Sequence, residues 1–375
     1  MNGRAWAIGL VTVATSFVPA PASAQEEPTP APAPAPQIPP PRPAPDTEIE
    51  NEADAREEAK AKERCGAADR RIDDHVFLFP AYVSSAIVAT YAGVRLRIGT
   101  NDVDGVPSPA GTLDLRAVTF ANGVDFGLGI TDWLGVFVSG SFRTLVSTNL
   151  PGLVYQGATF DIGGQGGAIL RLFHSERTGT QLSLRAGGGY SRGQFAVLLP
   201  VFQQPIASVN DVLLRDFGSE IKTPFSTYDY GGALAFAQSF GRFFGVQASA
   251  AVGGGHVTLE PYNRTRRLRD ETSIDALTYA FGIAPSFDFA ALHVPIAVMP
   301  EYVLSRAEST AQFRGSGDFD TFHVLGAGVY YSGRTPLQVG ALWATTLGAR
   351  PITTSLGSSQ TPSQNVFELV LRYVW

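Results

Sequence analysis

The last nine residues, Phe367-Glu-Leu-Val-Leu-Arg-Tyr-Val-Trp375, alternate between two kinds of side chain. Successive side chains of a β-strand point to opposite faces, so every second residue shares a face. Glu368 and Arg372 fall on one face. The other face carries only large apolar or aromatic side chains: Phe367, Leu369, Leu371, Tyr373 and Trp375. The chain therefore ends on a strand with one apolar face, which protein or lipid must cover.

The same two-residue period predicts a hairpin near the middle of the first half. From Ala117 to Ile130 the even positions are apolar, with Asn122 as the exception, and the odd positions are small or polar. After Thr131–Trp133 the alternation resumes with Leu134, Val136 and Val138 on one face. Two such runs separated by a short polar turn are typical of antiparallel strands.

Repeating this reasoning along the chain predicts about twelve strands. The further hairpins are Phe160–Phe173 with Gln181–Val197, Tyr228–Phe240 with Phe244–Thr258, Ile274–Phe289 with Ile296–Arg306, and Thr321–Ser332 with Leu337–Leu347. A strand near Ala86–Ile98 comes first, and Asn365–Trp375 comes last. Connections alternate between short turns, such as Gly241–Phe243 and Gly333–Pro336, and long segments. The long segments are Gly99–Leu113, Leu198–Phe225, Glu260–Ser273 and Ala349–Gln364.

The closing strand resembles the C-terminal assembly signal of bacterial outer-membrane β-barrel proteins, which ends in an aromatic residue. Gly129–Leu134 (GITDWL) resembles a periplasmic turn common in that class. The resemblance covers about Ala86 to Trp375 and identifies no specific characterised family. It implies an all-β fold, a transmembrane antiparallel up-and-down β-barrel of about twelve strands, inserted by the barrel-assembly machinery with its short turns in the periplasm. A soluble β-sandwich is the structural alternative.

The N-terminal part predicts export. Residues 1–24 contain Arg4, an apolar stretch and Ala22-Ser23-Ala24, as a cleavable signal peptide does. Residues 25–75 are Pro/Ala-rich and then charged, so we expect a disordered periplasmic linker, with contact to peptidoglycan as a possible role. Residues 76–375 form the predicted barrel in the outer membrane of a Gram-negative bacterium. The lone Cys65 is expected to be a free thiol.

The stretch Val76–Val94 contains no charged residue, which raises the alternative of a transmembrane helix. Pro80 and several Ser, Thr and Gly residues argue against a helix, and the alternation of Arg95 and Arg97 with apolar neighbours favours a strand.

Composition and charge exclude some functions. Charged residues make up only 17% of the chain, while Gly (40) and aromatic residues (11%) are frequent, as in membrane barrels. From Val76 onward, 20 Lys and Arg face 21 Asp and Glu. This near-neutral body argues against a nucleic-acid partner.

The polar face of the predicted strands supplies candidate residues for a lumen. They are Asp125, Arg143, Asp161, Arg171, Arg185, Asp229, Glu301, Glu368 and Arg372. Charges of both signs among small residues suggest a passive or gated pore for small polar solutes, whose selectivity these side chains would shape. Barrels of this size lie between filled and open ones, so a sealed or plugged barrel with a structural or surface-interaction role is the alternative. We expect no cofactor and no metal.

Two surface features remain. Arg264, Arg266, Arg267 and Arg269 fall in a predicted outer loop, where guanidinium groups suit the phosphates of lipopolysaccharide.

His174-Ser175-Glu176 is the one cluster that suggests an outer-membrane lipid hydrolase, but it falls in a periplasmic turn. His256 and His323 have no evident Ser and acid partners in the sequence. We therefore predict no enzymatic activity.

Overall fold

The structure is a computed structural model that describes residues 70–108, 111–198, 217–263, 268–309, 319–348, 353–354, 357–358 and 363–375. Within this part of the chain, twelve antiparallel strands form one closed barrel. The strands are β1 Tyr91–Ser108, β2 Gly111–Gly129, β3 Leu134–Ser147, β4 Ala158–Ser175, β5 Thr180–Ala196, β6 Lys222–Phe240, β7 Phe244–Leu259, β8 Thr272–Asp288, β9 Ile296–Ser309, β10 Phe319–Tyr331, β11 Leu337–Leu347 and β12 Ser363–Val374.

Each strand pairs with its neighbours in sequence, and β12 closes the ring against β1. In this closing pair Phe367 lies opposite Ile98, and Glu368 lies opposite Arg97. The apolar face of β12 points outward, and its five aromatic or leucine side chains from Phe367 to Trp375 are each about half exposed. A closed barrel with an apolar outer surface satisfies every strand edge and can cross a lipid bilayer. The prediction of an outer-membrane-type barrel is confirmed.

The two ends of the barrel differ. At one end, here called the turn end, the connections are short: 130–133, 176–179, 241–243, 289–295 and 332–336, the fourth with a 3₁₀ turn at Phe289–Leu292. The opposite end, here called the loop end, carries helix α1 (Leu150–Tyr155), helix α2 (Phe217–Ile221) and two short strand pairs. These pairs are Tyr262–Asn263 with Leu268–Arg269, and Thr353–Thr354 with Gly357–Ser358.

Two strand boundaries differ from the prediction. The first strand begins at Tyr91 and not near Ala86, because the residues before Tyr91 turn into the barrel. Gly99–Leu113 is not a long loop, since β1 and β2 continue as a hairpin past a register shift between Val103 and Val106. An ion pair across this extension, from Arg116 to Asp104 at 2.5 Å, helps to hold it together.

No helix in the described ranges is long and apolar enough to span a membrane. Most of the uncharged stretch that begins at Val76 lies in a compact segment, Arg70–Thr90. The segment has no regular strands apart from the two-residue pair Arg71–Ile72 with His75–Val76. The segment fills the barrel at the turn end, and we call it the plug.

Candidate functional site

The plug enters and leaves the lumen at the same end. Arg70 donates to the carbonyl of Thr335 at 2.7 Å, which places the start of the plug beside a short turn. The deepest part, near Tyr82, reaches Glu301 in the middle of β9. The chain then returns to Thr90, whose carbonyl accepts from Trp375 N–H at 3.0 Å. The plug is therefore a loop inserted from the turn end, and it does not thread through the barrel.

Apolar packing fills the turn half of the lumen. Phe77, Phe79 and Ile87 of the plug form one buried cluster with the inward-facing Ala235 and Ala237 of β6. A second cluster joins Leu78 and Val83 of the plug to small and apolar side chains of the wall: Ala284, Ala297, Met299, Val303 and Tyr330. Lumens of conducting barrels are polar, so a wall that presents Ala and Met inward is shaped to receive an apolar segment.

Polar wall side chains bond to the backbone of the plug. Gln338 accepts from Phe79 N–H and donates to Phe79 C=O, both at 3.1 Å. Gln247 donates to Leu78 C=O at 2.6 Å, and Gln181 donates to Ala86 C=O at 2.5 Å. A backbone without strand partners in a dry interior needs such hydrogen bonds, because an unpaired buried peptide group is costly. These three glutamines, each at most 1% exposed, thus have a structural reason to lie in an apolar region.

Glu301 holds the deepest part of the plug. Its carboxylate accepts from the backbone N–H of Ala81 at 3.0 Å and of Tyr82 at 2.8 Å. Glu301 is 3% exposed. Two backbone N–H groups of the plug therefore converge on one buried carboxyl group of the wall. Removal of the plug would leave this carboxylate without those two donors.

At the turn end of the barrel, His75 and Asp74 of the plug bond to Arg242 and Ser286 of the wall. The ring of His75 lies 3.0 Å from the carbonyl of Arg242 through Nδ1 and 2.8 Å from Ser286 Oγ through Nε2. Asp74 pairs with Arg242 at 3.0 Å, in an exposed position. Burial lowers the pKa of His75, against the opposing effects of the Arg242 carbonyl and of Asp288. The closed barrel therefore favours neutral His75.

Arg372 joins the plug to the wall. Its guanidinium donates twice to Asp125, at 3.0 and 2.6 Å, and lies over the rings of Phe79 and Tyr91 at 4.6 and 5.0 Å. Arg95 approaches the same carboxylate at 3.5 Å. Asp125 and Arg372, predicted separately as lumen residues, are thus brought into one pair.

Above the plug, the lumen is polar and its charges are paired across strands. Arg143 bonds to Asp161 at 2.6 Å, and Arg97 bonds to Glu368 at 2.6 Å. Arg185 lies over the ring of Phe137 at 4.4 Å. The Arg143–Asp161 pair involves wall residues only. Arg97 also lies over the ring of Tyr82 in the plug, at 5.8 Å, so the Arg97–Glu368 pair borders the deepest part of the plug.

The remaining predicted lumen residues are more dispersed. Asp229 lies on the inward face of β6 opposite Gly189 and Gly255, where burial is only partial. Arg171 lies half-buried next to a register shift between Arg171 and Phe173. Of the four arginines proposed for lipopolysaccharide, Arg264, Arg266 and Arg267 lie outside the described residues. Arg269 is at the loop end and donates to the carbonyls of Lys222 and Glu260.

Sequence reasoning missed the plug and two inward arginines, Arg95 and Arg97. The alternation of β1 separates both arginines from the apolar face, and this is the signal that places them in the lumen. The signal for the plug was also present: Val76–Thr90 is apolar without a two-residue period. A second signal for the plug is that β6 and β9 carry apolar residues on both faces near their turn ends. One face meets lipid, so the other must be covered by protein inside the barrel.

Comparison with solved structures finds other barrels. The translocator domain of the autotransporter NalP from Neisseria meningitidis is 8% identical over 88% of this chain and 97% of its own, with a TM-score of 0.49. The β-domain of the Bordetella autotransporter BrkA is 15% identical over 76% and 100%, with a TM-score of 0.45. An outer membrane channel from Pseudomonas putida F1 is 10% identical over 80% and 100%, with a TM-score of 0.46.

No protein-family model matches the sequence, and no curated protein matches it. At these TM-scores and identities, none of the three structures indicates what this chain does.

Proposed function

We propose that this protein is a gated outer-membrane pore for small polar solutes, and that the plug is its gate. The observation that carries the proposal is how the plug is held. Within the described residues, the backbone-to-backbone bond between plug and wall is at Thr90, where the plug joins β1. Elsewhere the wall holds the plug with side chains such as Glu301, Gln247 and Gln338.

A plug that is held by wall side chains can leave the lumen without breaking the β-sheet of the barrel. The barrel ladder is complete without the plug, because each strand already pairs on both sides and β12 pairs with β1. Both ends of the plug lie at the turn end, so withdrawal requires no break in the wall. The ion pairs Arg143–Asp161 and Arg97–Glu368 join wall residues and would persist.

The loop half of the lumen supports polar solutes. Its charged side chains have both signs and occur among small residues such as Gly163, Gly189 and Ser191. Charges in a confined channel favour water and polar solutes over apolar ones. We assign selectivity to the predicted lumen residues, above all to Arg143, Asp161, Arg185 and Asp229.

The proposal includes an orientation. Short turns face the periplasm in this class of barrel, so the turn end and the residues before Arg70 would be periplasmic after removal of a signal peptide. The tail could then reach peptidoglycan. The loop end would face outward, where Arg269 and its neighbours could meet lipopolysaccharide phosphates, and the C-terminal strand would engage the assembly machinery.

Engineered disulfides test the gate. A Cβ built on Gly282 of β8 would lie 2.9 Å from Val83 Cγ2, so Val83→Cys with Gly282→Cys can form a bridge at the deep part of the plug. The background carries Cys65→Ser. Single-channel recording should show openings in the reduced protein and none after oxidation. Openings that persist with the bridge formed would refute the plug as gate.

A matched control bridge uses the fixed end of the plug. A Cβ on Gly135 would lie 3.1 Å from Val88 Cγ1, two residues before the plug joins β1 at Thr90. Val88→Cys with Gly135→Cys leaves Arg70–Ala86 free to withdraw. Oxidation of this pair should leave the openings unchanged.

The second candidate is a non-conducting structural barrel, which the buried apolar packing of Phe77 and Leu78 favours. The same recordings separate the two functions. If neither variant shows openings, whether oxidised or reduced, the protein is a non-conducting structural barrel and the proposal of a pore is refuted.

A further inference from the structure

Arg185 is a charged lumen residue without a polar partner. It lies on the inward face of β5, two residues beyond Ser183, whose hydroxyl donates to the carbonyl of Ala86 in the plug at 2.6 Å. Arg185 is therefore the next inward residue of β5 above the plug. Among the described residues, its guanidinium contacts the ring of Phe137 but takes part in no hydrogen bond and no ion pair. A guanidinium is always charged, and an unpaired charge inside a protein is destabilising, so an anion bound there would remove that cost.

Aromatic packing holds this guanidinium in the lumen. Its central carbon lies 4.4 Å from the centre of the Phe137 ring. Phe137 is two residues beyond Gly135, where an added Cβ would lie 3.1 Å from Val88 Cγ1 of the plug. The ring lies over Gly167 of β4, since an added Cβ there would lie 2.8 Å from Phe137 Cζ. A guanidinium stacked on a ring keeps its N–H groups in its own plane, where they are free to donate to a ligand.

A row of glycines leaves room beside the guanidinium. Cross-strand partners in sequence on β4, β5, β6 and β7 are Gly167, Gly187, Gly231 and Gly253. This row lies one inward position further toward the loop end than Arg185 and its partner Ala233. Four neighbouring strands therefore carry no side chain on the lumen face at this level. Glycine within a strand often marks the place where another group approaches the backbone closely.

The other arginines at this level share one carboxylate. Arg372 donates twice to Asp125, and Arg95 approaches the same carboxylate at 3.5 Å. Buried donors remain unbonded in this part of the chain, since Arg372 Nη1 and Arg95 Nε have no hydrogen-bond partner. The positive charges of Arg185 and Arg372 act on each other, and Tyr91 lies near both. The lumen directly above the plug therefore has an excess of positive charge.

Other acidic side chains of the lumen do not cancel this excess. Glu368 is paired with Arg97, and Asp161 is paired with Arg143. Asp229 lies on β6, four residues beyond the cross-strand partner of Arg185. At ~3.3 Å per residue this is about 13 Å of strand, too far for a direct ion pair between the two. The charge that would balance Arg185 must come from a solute.

We propose that Arg185 binds an oxyanion, the carboxylate or phosphate group of a small solute, in the lumen directly above the plug. Two N–H groups of a guanidinium match two oxygens of either group. Arg95 and Arg372 strengthen the attraction by their charge. The plug forms the floor of the site, because Arg372 lies over the ring of Phe79 at 4.6 Å. Binding itself does not depend on conduction, whereas the selection of anionic solutes by this site rests on the proposed pore.

Isothermal titration calorimetry on the full chain, folded in a neutral detergent, tests the binding. The probes are succinate and inorganic phosphate, with glycerol as the uncharged control solute. The wild type should bind at least one of the two anions and should not bind glycerol. Arg185→Gln should weaken the binding about 10- to 100-fold, because it removes the hydrogen bonds of a charged donor. Arg185→Lys should give an intermediate affinity, since it keeps the charge but loses the planar pair of donors.

Arg192→Gln is the matched control. It makes the same change of charge on the same strand, but Arg192 is exposed on the opposite face of β5. Its affinity for the anions should equal that of the wild type. Every variant must keep the heat-modifiable migration of a folded barrel. The proposal is overturned if the folded wild type binds neither anion, or if Arg185→Gln binds them as tightly as the wild type does.

The anion that binds distinguishes the two sources of the oxyanion, because succinate carries carboxylates and the other probe is phosphate. Reversal potentials measured during openings of the full chain, in a gradient of the bound anion, then test selection. Arg185→Gln should lower the permeability of that anion relative to potassium, and an unchanged ratio would refute the role of the site in selection. A folded barrel that binds the anion but never conducts supports the site and refutes the pore. A barrel that conducts but binds neither anion supports the pore and refutes the site.

Discussion

Replacing Glu301 with Gln should loosen the gate and leave the barrel intact. The substitution keeps the volume but exchanges one carboxylate oxygen for an NH₂ group. In the closed barrel both oxygens accept, from Ala81 N–H at 3.0 Å and Tyr82 N–H at 2.8 Å. Gln can accept only one of these, so one donor then faces another donor. A buried polar group left unpaired costs about 1–3 kcal/mol. At ~1.4 kcal/mol per tenfold, the open population rises about 5- to 150-fold.

Thiol labelling measures that population directly. Ala235 faces the plug and is fully buried, so Ala235→Cys in a Cys65→Ser background reacts only when the plug has left. The labelling rate follows the open population when closing is faster than the reaction. Asp132→Asn is the control, because Asp132 is exposed in a turn outside the lumen and its loss of charge should not change the rate. If Glu301→Gln labels no faster than this control in folded barrels, the role given to Glu301 is refuted.

The same labelling assay tests two further changes, and a third concerns selectivity. Phe77→Ala removes a fully buried ring of the plug and should cost about 3–5 kcal/mol, raising the labelling rate more than Glu301→Gln does. Because burial lowers the pKa of His75 below its ordinary 6.5, the stability that neutral His75 gives to the closed state is complete above pH 6.5 and is lost as the pH falls below it. Because the thiolate is the reactive form, the rate at each pH is divided by the labelling rate of a cysteine exposed on the barrel surface. This ratio should rise as the pH falls from about 6.5 to 5, and His75→Gln should remove most of the rise; a ratio that does not change with pH would contradict it. Asp161→Asn removes the negative charge that lies 2.6 Å from the Arg143 guanidinium, so the reversal potential of the open pore in a salt gradient should shift toward anion selectivity; no shift, or a shift toward cation selectivity, would contradict the assignment.

The sequence predicts the barrel well because its signal is local. In β2 and β12 a two-residue period separates the lipid face from the lumen face, and short turns such as Thr131–Trp133 set the pairing. The predicted hairpins accordingly match the pairing of strands in the structure. Strand ends are less well predicted, since beyond the membrane a hairpin such as that around Val103 can continue without an apolar face.

The plug could not be placed from sequence because its contacts are long-range and irregular. Phe79 bonds to Gln338, 259 residues away, and Ala86 bonds to Gln181, 95 residues away. The plug has no period that would show which side chain meets the wall. Its apolar character was visible, but the same composition also fits a strand or a membrane helix.

The pairing of His256 with Asp275 illustrates a second limit. Both residues lie on strands that the sequence predicts, but their alignment depends on the register across the connection from Leu259 to Thr272. A shift of one residue would move Asp275 to the lumen face. Side-chain pairs across such a connection therefore require the structure.

The most direct test of the gate compares the full chain with a chain that lacks residues 70–86. Both are refolded, checked for heat-modifiable migration and recorded as single channels in planar bilayers. The plug accounts for closure, so the full chain should be closed most of the time and the shortened chain should conduct steadily. If the two folded barrels conduct alike, or if the shortened one does not conduct, the plug is not the gate of a pore.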